Sequence, residues 1–284
     1  MAHVLKSILK GILSPEDLSK LYSAFDMIGG IVILKIPYCL SSKKQIIAQT
    51  ILANVKSAKS VFAQTSPVQG EFRIRNLEYL AGSDSAITEY KEHGCRFKVD
   101  VRNTYFSPRL SAERFRIANM ITKNEIITNM FAGVGTYSVL IAKTNKSCIV
   151  YSVDSNPAAN ELGIINAKLN KVDDRVISIH GDARGVINER LRGSSTRVLM
   201  PLPEDAMEYV GSAVLALKQK RGIIHYFSHV RAPSKRSALD AASIDTKRAF
   251  VNYDHNIIYT RVVREVGPRF YQTVSDVFVT GQPL

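Results

Sequence analysis

The sequence predicts an α/β protein in two parts: a small α+β domain over residues 1–104, then a larger domain over 105–284 with a mostly parallel sheet and an antiparallel C-terminal hairpin. Three observations predict this. Past residue 104, short apolar runs alternate with stretches of helical spacing, the pattern of βαβ units whose sheet is covered on both faces. The run Asn129-Met-Phe-Ala-Gly-Val-Gly-Thr-Tyr-Ser138 links one apolar run to a helical one through a glycine turn, and Asp154 follows Gly135 by nineteen positions. The tail carries two strand-like segments, 257–265 and 270–279, meeting at Gly267-Pro268.

Taken in order, Ser14-Pro15-Glu16-Asp17 has the chemistry of a helix start: a hydroxyl cap, proline at the first helical position, and acids at the positive end of the dipole. Residues 31–36 read as a strand halted by Pro37, and 43–55 as a helix with Ile46, Ile47, Ile51, Leu52 and Val55 on one side. Strands are expected at 71–80, 87–91 and 95–101, the last two turning at His93-Gly94. In the larger domain, strands are expected at 126–129, 148–153, 176–179, 198–200 and 222–227. Helices are expected at 137–143, 158–169, 184–191 and 206–217. The terminal hairpin is expected to add a reversed strand at the sheet edge. Residues 230–236, Val-Arg-Ala-Pro-Ser-Lys-Arg, read as a basic loop.

Composition narrows the function. Hydrophobic residues make up 45% of the chain, yet no apolar run approaches the roughly 18 residues of a membrane span. The apolar-basic pattern of Met1 to Leu13 lacks a small-residue cleavage site, so it is not read as a signal peptide. Cys39, Cys95 and Cys148 lie far apart without a CxxC pair, which argues against a zinc site or disulfide framework and for a reducing cytoplasm. The net charge of +13 suits a polyanionic partner. The surplus is no tail effect: residues 1–128 hold 18 Lys and Arg against 11 Asp and Glu, and the remainder 20 against 14.

The glycine turn and the acids after it point to a nucleoside ligand. Glycine tolerates positive φ and lets backbone approach a ligand closely. Asp154, at the end of the next strand, is placed to accept from a ribose diol, and Asp182, after the following strand, from an adenine amino group. Tyr137-Ser138 stand where a dinucleotide site has its third glycine, so S-adenosylmethionine fits better than a nicotinamide cofactor. In Tyr105-Phe-Ser-Pro-Arg-Leu-Ser-Ala-Glu-Arg-Phe-Arg116, Ser107 is expected to cap and Pro108 to open a helix, with Arg109 and Glu113 at i and i+4 on one face. Such a pair is either an exposed ion pair or a positioned acid/base with cationic neighbours; Arg114 faces another side, towards the cofactor carboxylate. His225 and His229 have no third ligand in sequence range, so packing or RNA contact is favoured over metal. Tyr105, Phe106 and Tyr137 suit base stacking and core packing about equally.

Together, Tyr105–Arg116, Asn129–Ser138, Val153–Pro157, Gly181–Arg184 and Met200-Pro-Leu-Pro-Glu204 resemble the archaeal and eukaryotic tRNA (guanine-37 N1)-methyltransferases from about Phe25 onward. The resemblance implies a Rossmann-like class I methyltransferase domain, S-adenosylmethionine as cofactor and a tRNA anticodon stem-loop as partner, with no metal, membrane or obligate protein partner. It implies Glu113 as the base that takes the N1 proton, Arg73 as the positive charge at O6 of a flipped guanine, and Arg109 as a support for Glu113 and substrate. Arg114, Phe131, Ala132, Gly133, Gly135, Asp154, Ser155, Asp182, Ala183 and Pro201 would line the methyl-donor site. Arg75, Tyr105, Phe106 and Pro203 would contact the RNA. Two departures stand out. Pro201 occupies the place of an Asn usual in the family, from which altered affinity is expected more than lost activity. Only about two dozen residues precede Phe25, too few for the separate elbow-binding domain of many members, since independent folding needs about 40. The rivals are a wyosine-pathway aminocarboxypropyl transferase and a catalytically silent RNA-binding module.

Overall fold

The computed structural model describes residues 2–22 and 25–283, and the chain divides into two compact units, Met1–Pro108 and Arg109–Leu284. In the first, helices α1 (Ala2–Ile8), α2 (Pro15–Lys20) and α3 (Lys44–Asn54) accompany strands β1 (Phe25–Ile28), β2 (Ile31–Leu34), β3 (Ser60–Gln64) and β4 (Leu77–Gly82). These strands form one sheet in the order β1-β2-β3-β4, and β5 (Ile87–Glu92) and β6 (Cys95–Asp100) form a separate hairpin. As the sequence implies, the Ser14 side chain accepts from the Asp17 backbone N–H, and Pro15 opens α2. Ile47, Ala48 and Ile51 on α3 pack with Val32, Leu34, Val61, Ala63 and Leu80 from the sheet.

A 3-10 turn (Pro108–Leu110) carries the chain into the second unit, where α4 (Ser111–Ala118) follows. Then come β7 (Ile126–Asn129), α5 (Thr136–Thr144), β8 (Ile149–Asp154), α6 (Pro157–Leu169), β9 (Val176–His180), α7 (Ala183–Val186) and β10 (Arg197–Met200). The chain closes with α8 (Ala206–Ala216), β11 (Arg221–Arg231), α9 (Lys235–Ala249), β12 (Tyr253–Gly267) and β13 (Phe270–Pro283). The seven-stranded sheet has the order β12-β13-β11-β10-β7-β8-β9, and only β13 runs against the others.

Register shows which helices cover which face. Asn129, Ser152, Leu199, His225 and Asp276 occupy one row across five strands. Side chains in this row meet α4 and α5: Arg116 bonds Asp276, and Ser138 bonds Asn129 and Ser152. The neighbouring positions point the other way, because strand side chains alternate. Tyr226 donates to Asp245 and Ser275 accepts from Thr246, both on α9. On that face Val198, Met200 and Ile224 pack with Ala206, Val210 and Ala213 of α8.

Several expectations need correction. The strand expected over 71–80 starts at Leu77, because Gly70 and Arg73 take left-handed backbone (φ 73° and 52°) and turn the chain first. Ser107 and Pro108 do not start an α-helix: Pro108 opens a 3-10 turn, and α4 follows Leu110 without a side-chain cap. The helix expected over 184–191 is α7 followed by a π-helical turn at Ile187–Leu191. The supposed basic loop is the end of β11 and the first turn of α9, with Ser234 as N-cap. Helix α9 escaped notice because its buried face is Ala238, Ala242 and Thr246, a small-residue row with a faint apolar pattern. Finally, the reversed strand β13 is not the edge; it inserts between β11 and β12.

The glycine turn is held against α6. Gly135 has φ 82°, and a Cβ there would stand 3.4 Å from the Gly163 Cα. A Cβ on Gly163 would meet only ordinary contacts, the nearest being Ser178 Oγ at 3.5 Å. Chemical denaturation is therefore expected to separate the two: Gly135→Ala loses about 1–2 kcal/mol to left-handed strain, whereas Gly163→Ala is neutral or gains up to about 1 kcal/mol of helix propensity.

Candidate active site

The glycine turn leaves β7 at the carboxyl edge of the sheet, where open α/β sheets take their ligands. Gly133 (φ 55°) donates its backbone N–H to Asp154 Oδ2 at 2.6 Å, and Asn156 N–H binds Oδ1 at 3.0 Å. Burial raises the Asp154 carboxyl above its usual range, against the opposing pull of these two N–H groups. Its remaining lone pairs suit hydroxyl donors. One strand further on, Asp182 caps α7 through the N–H groups of Arg184 and Gly185, and its Oδ2 accepts from Tyr209 Oη at 2.9 Å. Burial and the Asp182 hydrogen bond push the Tyr209 hydroxyl up to about 12, so it remains a donor at neutral pH. Phe131 meets the Tyr209 ring edge-on at 4.9 Å, and the Arg184 guanidinium lies over that ring at 4.2 Å. Two carboxylates at adjacent strand ends and an aromatic pair match an adenosine, with its ribose diol, amino group and flat ring.

Glu113, in the first turn of α4, is 1% exposed. Arg116 donates to its Oε1 from Nε at 2.9 Å and from Nη2 at 2.7 Å, while Oε2 has no hydrogen-bond partner among the described residues. Arg261 of β12 approaches Oε2, with Nη1 at 3.4 Å. Burial raises the Glu113 carboxyl, and Arg116 and Arg261 oppose it. Arg116 continues to Asp276, with Nη1 to Oδ2 at 2.7 Å and Nη2 to Oδ1 at 3.0 Å. Because Asp276 lies in the row of Asn129, the last residue of β7, Glu113 is anchored on the face that carries the start of the glycine turn.

The other sequence-derived candidates are distributed as follows. Arg109 lies in the 3-10 turn before α4, and Arg114 on α4 is buried. Ala132 is buried in the glycine turn; Ser155 follows β8, its carbonyl against His180 Nε2 at 3.1 Å. Ala183 opens α7, and Pro201 and Pro203 lie in the loop after β10. In the first unit, the Arg73 guanidinium stacks over Tyr105 at 4.4 Å. Arg75 Nη1 bonds Asp26 and Gln64, each at 3.3 Å, and Phe106 is buried edge-on to Tyr90. Tyr137 is buried on α5 against Phe227.

A family model described as the TRM5/TYW2 methyltransferase domain matches residues 88–247, and one described as the TYW2 N-terminal domain matches residues 5–85. The chain belongs to the TRM5/TYW2 methyltransferase family. The likeness thus begins well ahead of Phe25. A relative from Methanocaldococcus jannaschii, tRNA (guanine(37)-N(1))-methyltransferase Trm5b, is 34% identical over 253 residues, covering 89% of this chain and 70% of its own. The tRNA 4-demethylwyosine(37)-methyltransferase Taw21 of Saccharolobus solfataricus is 33% identical over 274 residues, 96% of this chain and 99% of its own. The solved complex of aTrm5 and tRNALeu superposes with a TM-score of 0.84 at 32% identity, covering 97% of this chain and 78% of that one. As a methyltransferase of this family the protein takes S-adenosylmethionine, and the donor set around Asp154, Asp182 and Phe131 fits it. Among the described residues, no helix is long and apolar enough to cross a membrane.

Residue-level reading missed Arg116, Arg261, Asp276 and Tyr209. Arg116 stands three positions after Glu113 and was open to a helical-spacing argument; the others come from distant elements and leave no local signal. For the cofactor site, Asp154→Asn is expected to weaken S-adenosylmethionine binding roughly 10–100-fold, the scale of hydrogen bonds to a charged acceptor. If Asp154 accepts from hydroxyls as the anion, its raised carboxyl means that titration calorimetry on the wild type should show affinity falling as the pH is lowered, starting while the pH is still above the ordinary aspartate value of 3.8.

Proposed function

We propose that this protein transfers the methyl group of S-adenosylmethionine to N1 of guanosine 37 in tRNA, with Glu113 as general base. The observation that carries the reading is the Glu113 carboxylate, buried and held through one oxygen while the other has no hydrogen-bond donor among the described residues. Guanine N1 is a poor nucleophile until its proton is removed, and a fixed carboxylate with an open lone pair is suited to that step. Burial makes Glu113 a stronger base than an exposed glutamate, and Arg116 and Arg261 keep the anion accessible. S-adenosylmethionine supplies an electrophilic methyl carbon on its sulfonium. Asp154 and Asp182 orient the adenosine end, and Arg114 is assigned to its carboxylate. Arg73 is assigned to the charge that develops on guanine O6, where a preplaced cation is most effective. Arg109 is assigned to substrate support, and Arg75, Tyr105, Phe106 and Pro203 to the RNA. The first unit then seats the anticodon stem-loop with the target base turned out of its stack. The net charge of +13 and the likeness to a tRNA-bound neighbour support this partner. The cytoplasm is the compartment this reading assigns.

A second reading has its own support: methylation of 4-demethylwyosine at the same position. The likeness to Taw21 runs over 99% of that protein and 96% of this chain. One assay separates the two. Labelled methyl donor is supplied with a tRNA transcript bearing G37 and, in parallel, with tRNA carrying 4-demethylwyosine, and the modified base is mapped. Label at N1 of G37 is expected; label on the tricyclic base alone would transfer the assignment to the second reading.

Glu113→Gln is expected to lower kcat by roughly 10²–10⁴-fold, the usual worth of a positioned base, with the cofactor Kd little changed. Because Glu113 works as the anion and its carboxyl is raised, kcat should climb with pH along a limb above the ordinary glutamate value of 4.5. Affinity for tRNA should fall by roughly 10³-fold between 50 and 200 mM salt; a flat response would remove the electrostatic argument.

A further inference from the structure

Glu113 is one end of a continuous chain of buried and partly buried polar groups. Beyond Arg116 and Asp276, His225 Nδ1 lies 2.6 Å from Asp276 Oδ1, and His225 Nε2 lies 2.9 Å from Arg197 Nη1. Arg197 in turn binds Glu125 from Nε at 2.6 Å and from Nη2 at 3.0 Å. The proton positions follow from chemistry. A guanidinium can only donate, so His225 Nε2 must accept, and the single ring proton sits on Nδ1 and goes to Asp276. His225 is fully buried and is held neutral chiefly by that burial, against the pull of Asp276. Burial would raise Asp276, but its bonds from His225 and Arg116 hold it well below the usual carboxylate range. Taking so many charges out of water is expensive, and a well-packed apolar core is often as stable as a buried ion network. A structural need alone therefore gives weak grounds for such a chain running up to the base.

We propose that Arg116, Asp276 and His225 are positioning residues: through the fork of Arg116, clamped from behind by Asp276 and His225, they fix the Glu113 carboxylate for proton removal. The proposal rests on Glu113 acting as the base. Arg116 offers four N–H groups, from all three guanidinium nitrogens in one plane, to two carboxylates, so Glu113 Oε1 cannot swing without breaking two hydrogen bonds. The charged groups around Glu113 are Arg116 on its own helix, Arg261 on β12 and Asp276 on β13, with the Tyr259 ring 5.3 Å from the Arg116 guanidinium.

The test compares log kcat against pH for wild type, Arg116→Gln, Arg116→Lys, Asp276→Asn and His225→Gln, with circular dichroism and cofactor Kd measured on each. Arg116 stabilises the Glu113 anion and Asp276 opposes it, so the acid limb should move up in pH in Arg116→Gln and down in Asp276→Asn. Arg116→Lys keeps the charge and loses the fork; kcat at the optimum should fall roughly 10–100-fold from misplacement of the base, with the cofactor Kd unchanged. His225→Gln can still donate to Asp276 and accept from Arg197, so it should stay within a few-fold of wild type, while His225→Leu should not. A merely structural chain predicts parallel losses of kcat, cofactor binding and folded signal, with the limb unmoved. Limbs that stay fixed or shift in the same direction would overturn the proposal. If Asp276→Asn does not fold, Arg116→Lys decides: wild-type kcat there sinks it. Should Glu113→Gln itself keep wild-type kcat, the base assignment fails first, and the chain has nothing to position.

Discussion

Arg116 holds two buried carboxylates that come from opposite ends of the second unit. Glu113 lies three residues before it on α4; Asp276 lies 160 residues after it on β13. Neither carboxylate is tolerable in that setting without the guanidinium, because an unpaired charge out of water costs several kcal/mol. The contact therefore sets where α4 sits on the sheet, which way Glu113 faces, and that the C-terminal hairpin must be in place before the site is complete.

The hairpin's topology is what makes this possible. Were β13 at the sheet edge, Asp276 would stand one strand further from α4. Inserted between β11 and β12, β13 brings Asp276 directly opposite His225, within reach of Arg116, while β12 supplies Arg261 from outside. A single reversed strand thus connects α4 to the parallel core. The candidate cofactor cradle is built more simply. Its parts, the turn at Gly133 and Gly135 and the acids Asp154 and Asp182, all follow strands β7, β8 and β9 in order, and each is held by backbone N–H groups within a few residues or one strand away.

That difference explains what could be read in advance. The cradle was legible because its geometry is local: a strand end, a left-handed glycine and a helix start each have a residue signature. The parallel strands were legible from their apolar runs, and α2 from Ser14 and Pro15. Helix α9 was not, since Ala238, Ala242 and Thr246 pack against the sheet without an apolar pattern strong enough to mark a face. The start of α4 misled because Ser107-Pro108 serves a 3-10 turn as well as an α-helix, and only the hydrogen bonds of the folded chain distinguish them.

By itself the sequence determined the α/β class, the glycine turn with Asp154 and Asp182 at the strand ends beside it, Glu113 as the residue of interest, and a net positive charge suited to a polyanion. Only the tertiary structure decided which charges govern Glu113. Arg261, Asp276 and His225 are far from it along the chain, and ion pairing depends on distance through space, which spacing in sequence predicts within one helix and not between strands brought together by a sheet.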